Sequence, residues 1–242
     1  MLKINALSLA LPDTSLVINN LSLNVATKEV HIILGKNGSG KSTLLNWLAG
    51  ISSAKFVSGT ASFNEQQVDA LPIFERSRAG IHICPQHPPI IPGLAQATFI
   101  KEMLAAHTKN NDDIPSSSFV IKETQRLSTQ LGLPSGYASR SLNEGYSGGE
   151  RKKNEILQLL IRQPLIALID EIDSGLDQDA SSNISGLLRD LTAHTAMLVV
   201  THSIDFAKSL NPQFVHIIKS GNIQKTGGKE LLDEVAQQGF DI

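Results

Sequence analysis

The stretch from Gly35 to Thr43 has residue types and a spacing that suit binding of a phosphate chain. Its sequence, GKNGSGKST, contains the P-loop pattern G-x-x-x-x-G-K-[ST]. Glycines let backbone N–H groups turn inward as an anion nest, Lys41 adds a charge for β- and γ-phosphates, and Ser42 offers a hydroxyl to Mg²⁺. The predicted phosphate-binding residues are Gly35, Asn37, Gly38, Ser39, Gly40, Lys41, Ser42 and Thr43.

The elements predicted on both sides of this loop suit the same chemistry. Val30 to Leu34 is a short apolar run typical of a buried strand, and Ser42 to Ala49 predicts a helix that ends at Gly50. The loop would then lie at a helix N-terminus, where unpaired N–H groups and the helix dipole favour phosphate. A flexible Gly/Ser turn is the alternative interpretation.

Two acidic residues, Asp170 and Glu171, directly follow another predicted buried strand, Leu165 to Ile169. Ligands bind beyond the carboxyl ends of the strands in doubly wound sheets, so both carboxylates are expected at the sheet edge that carries the P-loop. We predict that Asp170 orients Mg²⁺ and that Glu171 polarises an attacking water. Surface acids that cap a helix are the alternative.

Three further polar features follow predicted strands or begin a helix. Gln86 offers an amide to Mg²⁺ and water, and His202, after the strand Ala196 to Thr201, is within reach of a γ-phosphate. Ser147-Gly148-Gly149 is a second backbone anion nest, at the start of a long predicted helix. Taken singly, each also suits a structural role: a loop glutamine, a structural histidine and a helix cap.

Together and in this order, these motifs resemble the nucleotide-binding domain of the ABC ATPase superfamily over essentially the whole chain. The matching segments are the P-loop at 35–43, Gln86, the signature Tyr146 to Glu150, the Walker B segment at 165–171, Ser174 to Asp177, and His202.

The resemblance implies a role for each of these residues. ATP would lie between the P-loop of one copy and Ser147-Gly148-Gly149 of a second copy, so that each site needs two chains. Glu171 would act as the base, with His202 sensing the γ-phosphate and Gln86 touching both metal and water. Residues implied to order Mg²⁺ are Ser42, Gln86 and Asp170, and the further nucleotide contacts are Ser147, Gly148, Gly149 and Asp177.

Within the superfamily the chain resembles the SufC family, the ATPases of the SUF iron–sulfur cluster assembly system. This narrower resemblance lies in residues 86–93, 147–155, 170–177 and 237–242. It implies ATP-dependent homodimerisation and binding to SufB- and SufD-type scaffold proteins. The alternatives are the ATPase subunit of a membrane ABC transporter and a regulatory module that binds ATP without hydrolysis.

Two features depart from the family pattern. Lys36 occupies a variable P-loop position where the family often has proline, and it adds a cation near the phosphates. No Phe, Tyr or Trp precedes Trp47, so the adenine-stacking aromatic residue of many ABC transporters is missing near Leu16 and Val17.

Composition and charge exclude other classes. The chain has 242 residues with 21 basic and 23 acidic side chains, a net charge of −2 that predicts no nucleic-acid partner. No apolar run approaches the ~20 residues of a membrane span, and Met1 to Asn5 lacks the order of a signal peptide, so we expect a cytoplasmic protein without direct membrane insertion. Cys84, the only cysteine, is predicted to be a buried strand residue that cannot hold an iron–sulfur cluster by itself.

Alternating strands and helices predict an α/β fold. We expect a P-loop NTPase core of the ABC ATPase type, with N-terminal antiparallel strands from Leu2 to Leu9 and from Leu16 to Val25. Residues 1–86 and 165–242 would form this nucleotide-binding core. Residues 87–164 would form an inserted α-helical subdomain that carries the signature motif and contains a polar loop at 109–118.

Two surface features yield more specific hypotheses. Ile90 and Ile91 lie between prolines after Gln86, and we predict that they are exposed and that partner proteins dock there. In the signature helix, Arg151 is expected to pair with Glu155 and Lys153 with Glu150.

That pairing leaves Lys152 without an acid on its own helix. We therefore expect Lys152 to pair with an acid of the Walker B segment, above all Glu171, and to restrain the base. The alternative is a solvated Lys152, or one that faces the phosphates bound by a partner subunit.

Overall fold

The computed structural model describes residues 1–108 and 114–240. Its strands are β1 Leu2–Ala10, β2 Leu16–Val25, β3 Val30–Leu34, β4 Lys55–Phe63, β5 Gln66–Gln67, β6 Ile81–Cys84, β7 Ile91–Ala95, β8 Ser141–Leu142, β9 Ile166–Asp170, β10 Ala196–Val200, β11 Phe214–Lys219 and β12 Asn222–Gly227. Its helices are α1 Lys41–Ala49, α2 Ile73–Arg78, α3 Gln96–Ala105, α4 Ser117–Gln130, α5 Gly148–Arg162, α6 Gln178–Leu191, α7 Ile204–Ser209 and α8 Glu230–Gln238.

The central sheet has the strand order β12-β11-β3-β10-β9-β6. Its strands are parallel except for β12, which forms an antiparallel hairpin with β11. A second sheet of order β2-β1-β4-β5 is antiparallel throughout. The predicted α/β class with N-terminal antiparallel strands is therefore confirmed.

The central strands are buried on both faces, as their continuous apolar sequences predict. Alternate residues of β3 show this: Ile32 and Leu34 pack with the helices α3 to α8, whereas Ile33 packs with α1 and the antiparallel sheet. Two apolar cores thus lie on opposite sides of the central sheet. Since β3, β9 and β10 are neighbours, their carboxyl ends meet at one edge.

Cys84 ends β6 and is fully buried, so the prediction for this residue is confirmed. Burial raises the pKa of its thiol well above the ordinary value. Its Sγ donates a hydrogen bond of 3.8 Å to the backbone oxygen of Glu155. Cys84 therefore contributes to packing between β6 and α5.

Residues 87–164 contain α3, α4 and α5, as expected of a helical segment, together with a short two-stranded sheet that the sequence did not predict. In this sheet β7 pairs with β8, and Ile91 lies opposite Leu142. The polar loop predicted at 109–118 falls partly on residues 109–113, outside the described residues, and its last two residues begin α4.

No helix in residues 1–108 and 114–240 has the length and apolar character needed to cross a membrane.

Candidate active site

The P-loop connects β3 to α1, and Lys41 is the first residue of that helix. The Lys41 ammonium donates hydrogen bonds to the backbone oxygens of Gly35 at 2.8 Å and of Lys36 at 3.0 Å. The residue is only 5% exposed, and this burial lowers the pKa of the ammonium, against which the charges of Glu171 and Asp170 act. The loop therefore curls around a positive charge held by its own carbonyl groups.

Two glycines let this loop fit between neighbouring strands. Gly35 has φ +152°, and a Cβ atom there would lie 2.2 Å from the backbone oxygen of Ile218 at the end of β11. Gly40 has φ +101°, and its Cβ would lie 2.6 Å from the backbone oxygen of Val17 on β2. Any side chain at either position would collide with backbone that cannot easily move, so both sites need glycine.

Asp170 and Ser42 lie together at the carboxyl end of β9. The Ser42 hydroxyl donates a 3.0 Å hydrogen bond to Oδ1 of Asp170, which is only 1% exposed. Burial raises the pKa of the Asp170 carboxyl, while Ser42 and the charge of Lys41 oppose that rise. Gln86 lines the same cavity as Ser42. A hydroxyl, a carboxylate and an amide oxygen are hard oxygen ligands of the kind that Mg²⁺ takes, so these residue types fit the metal.

Glu171 occupies an unusual backbone conformation, with φ +49°, directly after β9. Its N–H donates to the backbone oxygen of Val200 at 2.9 Å, which fixes the residue to β10. Its Oε2 accepts a 2.7 Å hydrogen bond from Nε2 of Gln86, and its Oε1 lies 3.1 Å from Nε2 of His202. The carboxylate is thus held between the two other predicted catalytic side chains.

A cavity of about 430 Å³ brings most of the predicted residues together. This volume is within the range of roughly 300–1,000 Å³ that is typical of small-molecule sites. Gly35, Ser39 and Asp170 do not line it, although Gly35 shapes the loop and Asp170 hydrogen-bonds the lining residue Ser42. The lining residues are Leu11, Val17, Asn37, Gly38, Gly40, Lys41, Ser42, Thr43, Gln86, Glu171 and His202.

Among the lining residues, Leu11 is one that the sequence did not point to, whereas Val17 lies where the family resemblance places an adenine-stacking residue. Leu11 directly follows β1 and Val17 is the second residue of β2, and apolar residues at the ends of paired strands are common in hairpins. Their place beside the P-loop follows from the docking of β2 on Gly40, a contact between segments that are far apart in sequence.

The signature residues lie outside this cavity. Ser147 caps α5: its Oγ accepts from the N–H of Glu150 at 3.2 Å, and the Glu150 carboxylate accepts from the N–H of Ser147 at 2.8 Å. This capping box confirms the predicted cap. Ser147 and Gly148 are exposed, so their nest faces solvent within one chain.

Asp177 also lies outside the P-loop cavity. Its carboxylate caps α6 by accepting from the N–H of Ala180 at 2.7 Å. The residue lines a neighbouring open cavity of about 760 Å³ that shares Glu171 and His202 with the P-loop cavity. Asp177 therefore shares a cavity with the predicted base and does not line the cavity of its own P-loop.

The predicted ion pair between Lys152 and Glu171 is wrong, because the ammonium meets backbone oxygen instead. Lys152 Nζ donates to the backbone oxygen of Glu171 at 2.8 Å, and also to the backbone and hydroxyl oxygens of Ser174. Lys152 is only 8% exposed, so the alternative of a solvated side chain is wrong as well.

The expected ion pair between Arg151 and Glu155 is also wrong. Glu155 is buried, and its Oε1 accepts from Gln158 at 3.5 Å inside the helical segment. Periodicity on one helix could not reveal this, because the packing of α5 against β6 and α6 decides which side of the helix is the interior.

Comparison with known proteins agrees with the fold and with the motifs. The family model described as ABC transporter matches residues 18–174. A probable ATP-dependent transporter, ycf16, of Antithamnion sp. is 35% identical over 100% of this chain and 96% of its own length. The iron–sulfur cluster assembly protein SufC of Plasmodium falciparum is 34% identical over 93% of this chain, which spans 65% of that protein.

A solved structure of similar fold is a dimeric ATP-binding cassette in a post-hydrolysis state with ADP and Pi. It superposes with a TM-score of 0.81 at 23% identity, covering 95% of this chain and 99% of that one.

The resemblance to SufC-type relatives that the motifs predict is confirmed by the sequence relatives, which match most of the chain. The chain belongs to the ABC family and is an ATPase of that family.

Proposed function

We propose that this ATPase works as a dimer of two identical chains and uses ATP hydrolysis to change the conformation of an iron–sulfur cluster assembly scaffold. One observation carries the catalytic part of the proposal. The Glu171 carboxylate lies between Gln86 at 2.7 Å and His202 at 3.1 Å, in a cavity that Lys41 and Ser42 also line. A base, a phosphate-binding cation and a metal-binding hydroxyl therefore share one site.

These side chains divide the chemistry among them. Lys41 and the inward N–H groups of the P-loop bind and orient the phosphates and offset their charge. Ser42, Asp170 and Gln86 would hold Mg²⁺, which when bound supplies positive charge to the β- and γ-phosphate oxygens. Glu171 orients a water molecule and accepts its proton, with His202 beside it to sense the γ-phosphate.

In the proposed dimer, the second copy supplies a set of phosphate contacts that one chain alone lacks. The Ser147-Gly148-Gly149 nest begins a helix, has Ser147 and Gly148 exposed, and lies outside the cavity of its own chain. Helix N-termini bind anions through free N–H groups and the helix dipole. In the proposed dimer, this nest closes over the phosphates that the P-loop of the other copy holds, and Asp177 lies near the same interface.

The partner proteins are proposed to be SufB- and SufD-type scaffold proteins in the cytoplasm. Support comes from the similarity to the Plasmodium falciparum SufC protein over 93% of this chain, and from the segment Ser147 to Glu155, one of those that carry the resemblance to the SufC family. The exposed segment after Gln86 that contains Ile90 and Ile91, within the proposed helical subdomain, would contact these partners. The buried Cys84 leaves cluster binding to the scaffold.

A second candidate is the ATPase subunit of a membrane transporter, favoured by the name of the similar ycf16 protein. Co-purification separates the two. The tagged chain, expressed in its native cells, would be isolated with and without Mg-ATP, and the bound proteins identified by mass spectrometry. We expect scaffold proteins that carry iron and sulfide, whereas recovery of a protein with many membrane spans would favour the transporter.

A further inference from the structure

Asp173 carries a partly buried carboxyl group that the proposed chemistry does not use. It lies two residues after Glu171, and burial raises the pKa of its carboxyl. Its Oδ2 accepts a 2.8 Å hydrogen bond from the hydroxyl of Thr201, whereas its Oδ1 is buried without a hydrogen-bond partner in the part of the chain that the structure describes. A buried oxygen without a partner costs stability, so stability alone does not explain the place of Asp173.

The hydroxyl of Thr201 joins two segments of the chain. It donates to Asp173 and accepts a 2.9 Å hydrogen bond from the N–H of Ser203. Thr201 directly follows β10 and is fully buried, so both hydrogen bonds are shielded from water. The hydroxyl proton points at the carboxylate, and the oxygen holds the main chain two residues further on.

His202 lies between the two residues that this hydroxyl joins. On its far side, the hydroxyl of Ser203 accepts from the N–H of Phe206 at 3.2 Å and so caps α7. The side chain of His202 is exposed, and packing therefore restrains it little. Its approach to Glu171, 3.1 Å between Nε2 and Oε1, depends on the main chain that Thr201 fixes.

The segment that carries Asp173 is held from both sides. Lys152 of α5 donates to the backbone oxygens of Glu171 and Ser174, which precede and follow Asp173. The backbone oxygen of Asp173 accepts from the N–H of Leu176 at 3.2 Å. The carboxylate therefore reaches Thr201 from a segment that cannot shift without breaking its contacts with the signature helix.

We infer that Asp173 and Thr201 are positioning residues that hold His202 against the carboxylate of Glu171. The inference rests on the proposed function, in which Glu171 is the base and His202 senses the γ-phosphate. Asp173 and Thr201 do not line the P-loop cavity, so their effect on the reaction passes through His202.

Steady-state hydrolysis of Mg-ATP by two variants of Thr201 tests the inference. Thr201→Val keeps the shape of the side chain but removes the hydroxyl. Its kcat should fall by about tenfold, while KM for ATP should change by less than about twofold because the P-loop is untouched. Thr201→Ser keeps the hydroxyl and should retain a kcat within about threefold of wild type.

Thr195→Val is the matched control. Thr195 lies at the other end of β10, is equally buried, and donates its hydroxyl to the backbone oxygen of Pro164 at 2.6 Å. Its replacement should lower the temperature of thermal unfolding, as Thr201→Val should, but leave kcat unchanged. Equal kcat values for Thr201→Val and Thr195→Val would overturn the inference, because the Thr201 hydroxyl would then be a structural contact only.

Two variants of Asp173 separate its hydrogen bond from its charge. Asp173→Asn and Asp173→Ala both remove the negative charge, but only Asn keeps an oxygen that can accept from Thr201. The kcat of the Asn variant should therefore exceed that of the Ala variant by about threefold to tenfold. Equal kcat values would contradict the role of the hydrogen bond to Thr201.

A double variant shows whether Thr201 acts through His202. Adding Thr201→Val to His202→Ala should lower the single-turnover rate by less than about twofold, because the group that Thr201 positions is already missing. A fall as large as in the wild-type background would overturn the inference. Wild-type kcat in His202→Ala alone would instead overturn the proposed role of His202, so the two failures are distinguishable.

Discussion

The ammonium of Lys152 hydrogen-bonds the backbone oxygen of Glu171 at 2.8 Å, while the carboxylate of the same residue faces Gln86 and His202. A lysine of the signature helix thus holds the main chain of the predicted base and does not bond its carboxylate oxygens. Because Glu171 has φ +49°, a conformation that costs energy outside glycine, this contact helps to keep the residue in place.

Replacing Lys152 by Met should therefore destabilise the protein without activating it. Met keeps much of the length but leaves the carbonyl oxygens of Glu171 and Ser174 without this donor, at a cost of about 1–3 kcal/mol in unfolding free energy. Denaturant unfolding measures that loss. Hydrolysis per dimer should not rise, because no carboxylate is released; a clear rise would show that the ammonium restrains the base after all.

Glu171→Gln should bind ATP but hydrolyse it at least about a hundredfold more slowly, because an amide cannot accept the proton of water. The bound ATP should then hold two copies together. Size-exclusion chromatography with Mg-ATP should show a dimer at concentrations where the nucleotide-free variant is smaller. A Glu171→Gln protein that stays monomeric with ATP at high concentration would contradict the two-chain site.

Lys41→Ala is the complementary variant. It removes the cation that the P-loop carbonyl groups of Gly35 and Lys36 hold, so nucleotide binding should be lost. Titration with a fluorescent ATP analogue measures this loss, and no dimer should form on addition of ATP. Binding at wild-type affinity would show that Lys41 does not contact the phosphates.

The sequence predicted the phosphate loop, the acid pair and their common sheet edge because each is encoded by a few neighbouring residues. A continuous apolar strand followed by Asp170 and Glu171 leaves little choice for where those carboxylates lie. Such local patterns could not predict contacts between segments that are far apart in the sequence. The seating of Val17 on Gly40 and the donation from Lys152 to carbonyl oxygens arise only when separate elements are packed together.

The predicted docking surface after Gln86 can be tested through Ile90 and Ile91. Both are exposed, at 49% and 39%, although Ile91 belongs to β7 rather than to an irregular loop. Substituting Asp at both should abolish co-purification of scaffold proteins and leave ATP binding unchanged, since charged groups are costly at an apolar interface.

Phe119→Asp provides the control for this surface, because Phe119 is exposed at 54% on α4 and lies outside the predicted docking segment. It should retain the scaffold proteins. Unchanged co-purification with the double Asp variant would move the docking site elsewhere.

The last prediction concerns Glu155, a carboxyl buried in the signature helix. Burial raises its pKa from 4.5 to about 8, and hydrogen bonds from Asn143 and Gln158 offset only part of that rise. Glu155 is therefore protonated in the folded protein at neutral pH but ionised in the unfolded chain. The folded state binds one more proton between these two pKa values.

The direction of the pH dependence follows from this difference. The contribution of Glu155 to the free energy of unfolding is therefore fully present below a pH of about 4.5, and it is lost as the pH rises through about 8. The free energy of unfolding falls by no more than about 1.4 kcal/mol per pH unit on this account. Glu155→Gln has a similar shape and no titration. Its unfolding free energy relative to wild type should therefore increase steadily from pH 5 to pH 8.

Thermal unfolding across this pH range measures the gap between the two proteins, since about 1 kcal/mol corresponds to roughly 2–4 °C in Tm for a chain of this size. Glu102→Gln, an exposed acid on α3, is the matched control and should follow the wild-type curve at every pH. The variant and wild-type curves share every other titrating group, so those contributions cancel in the difference. A constant gap between Glu155→Gln and wild type from pH 5 to pH 8 would mean that Glu155 is ionised in the folded protein.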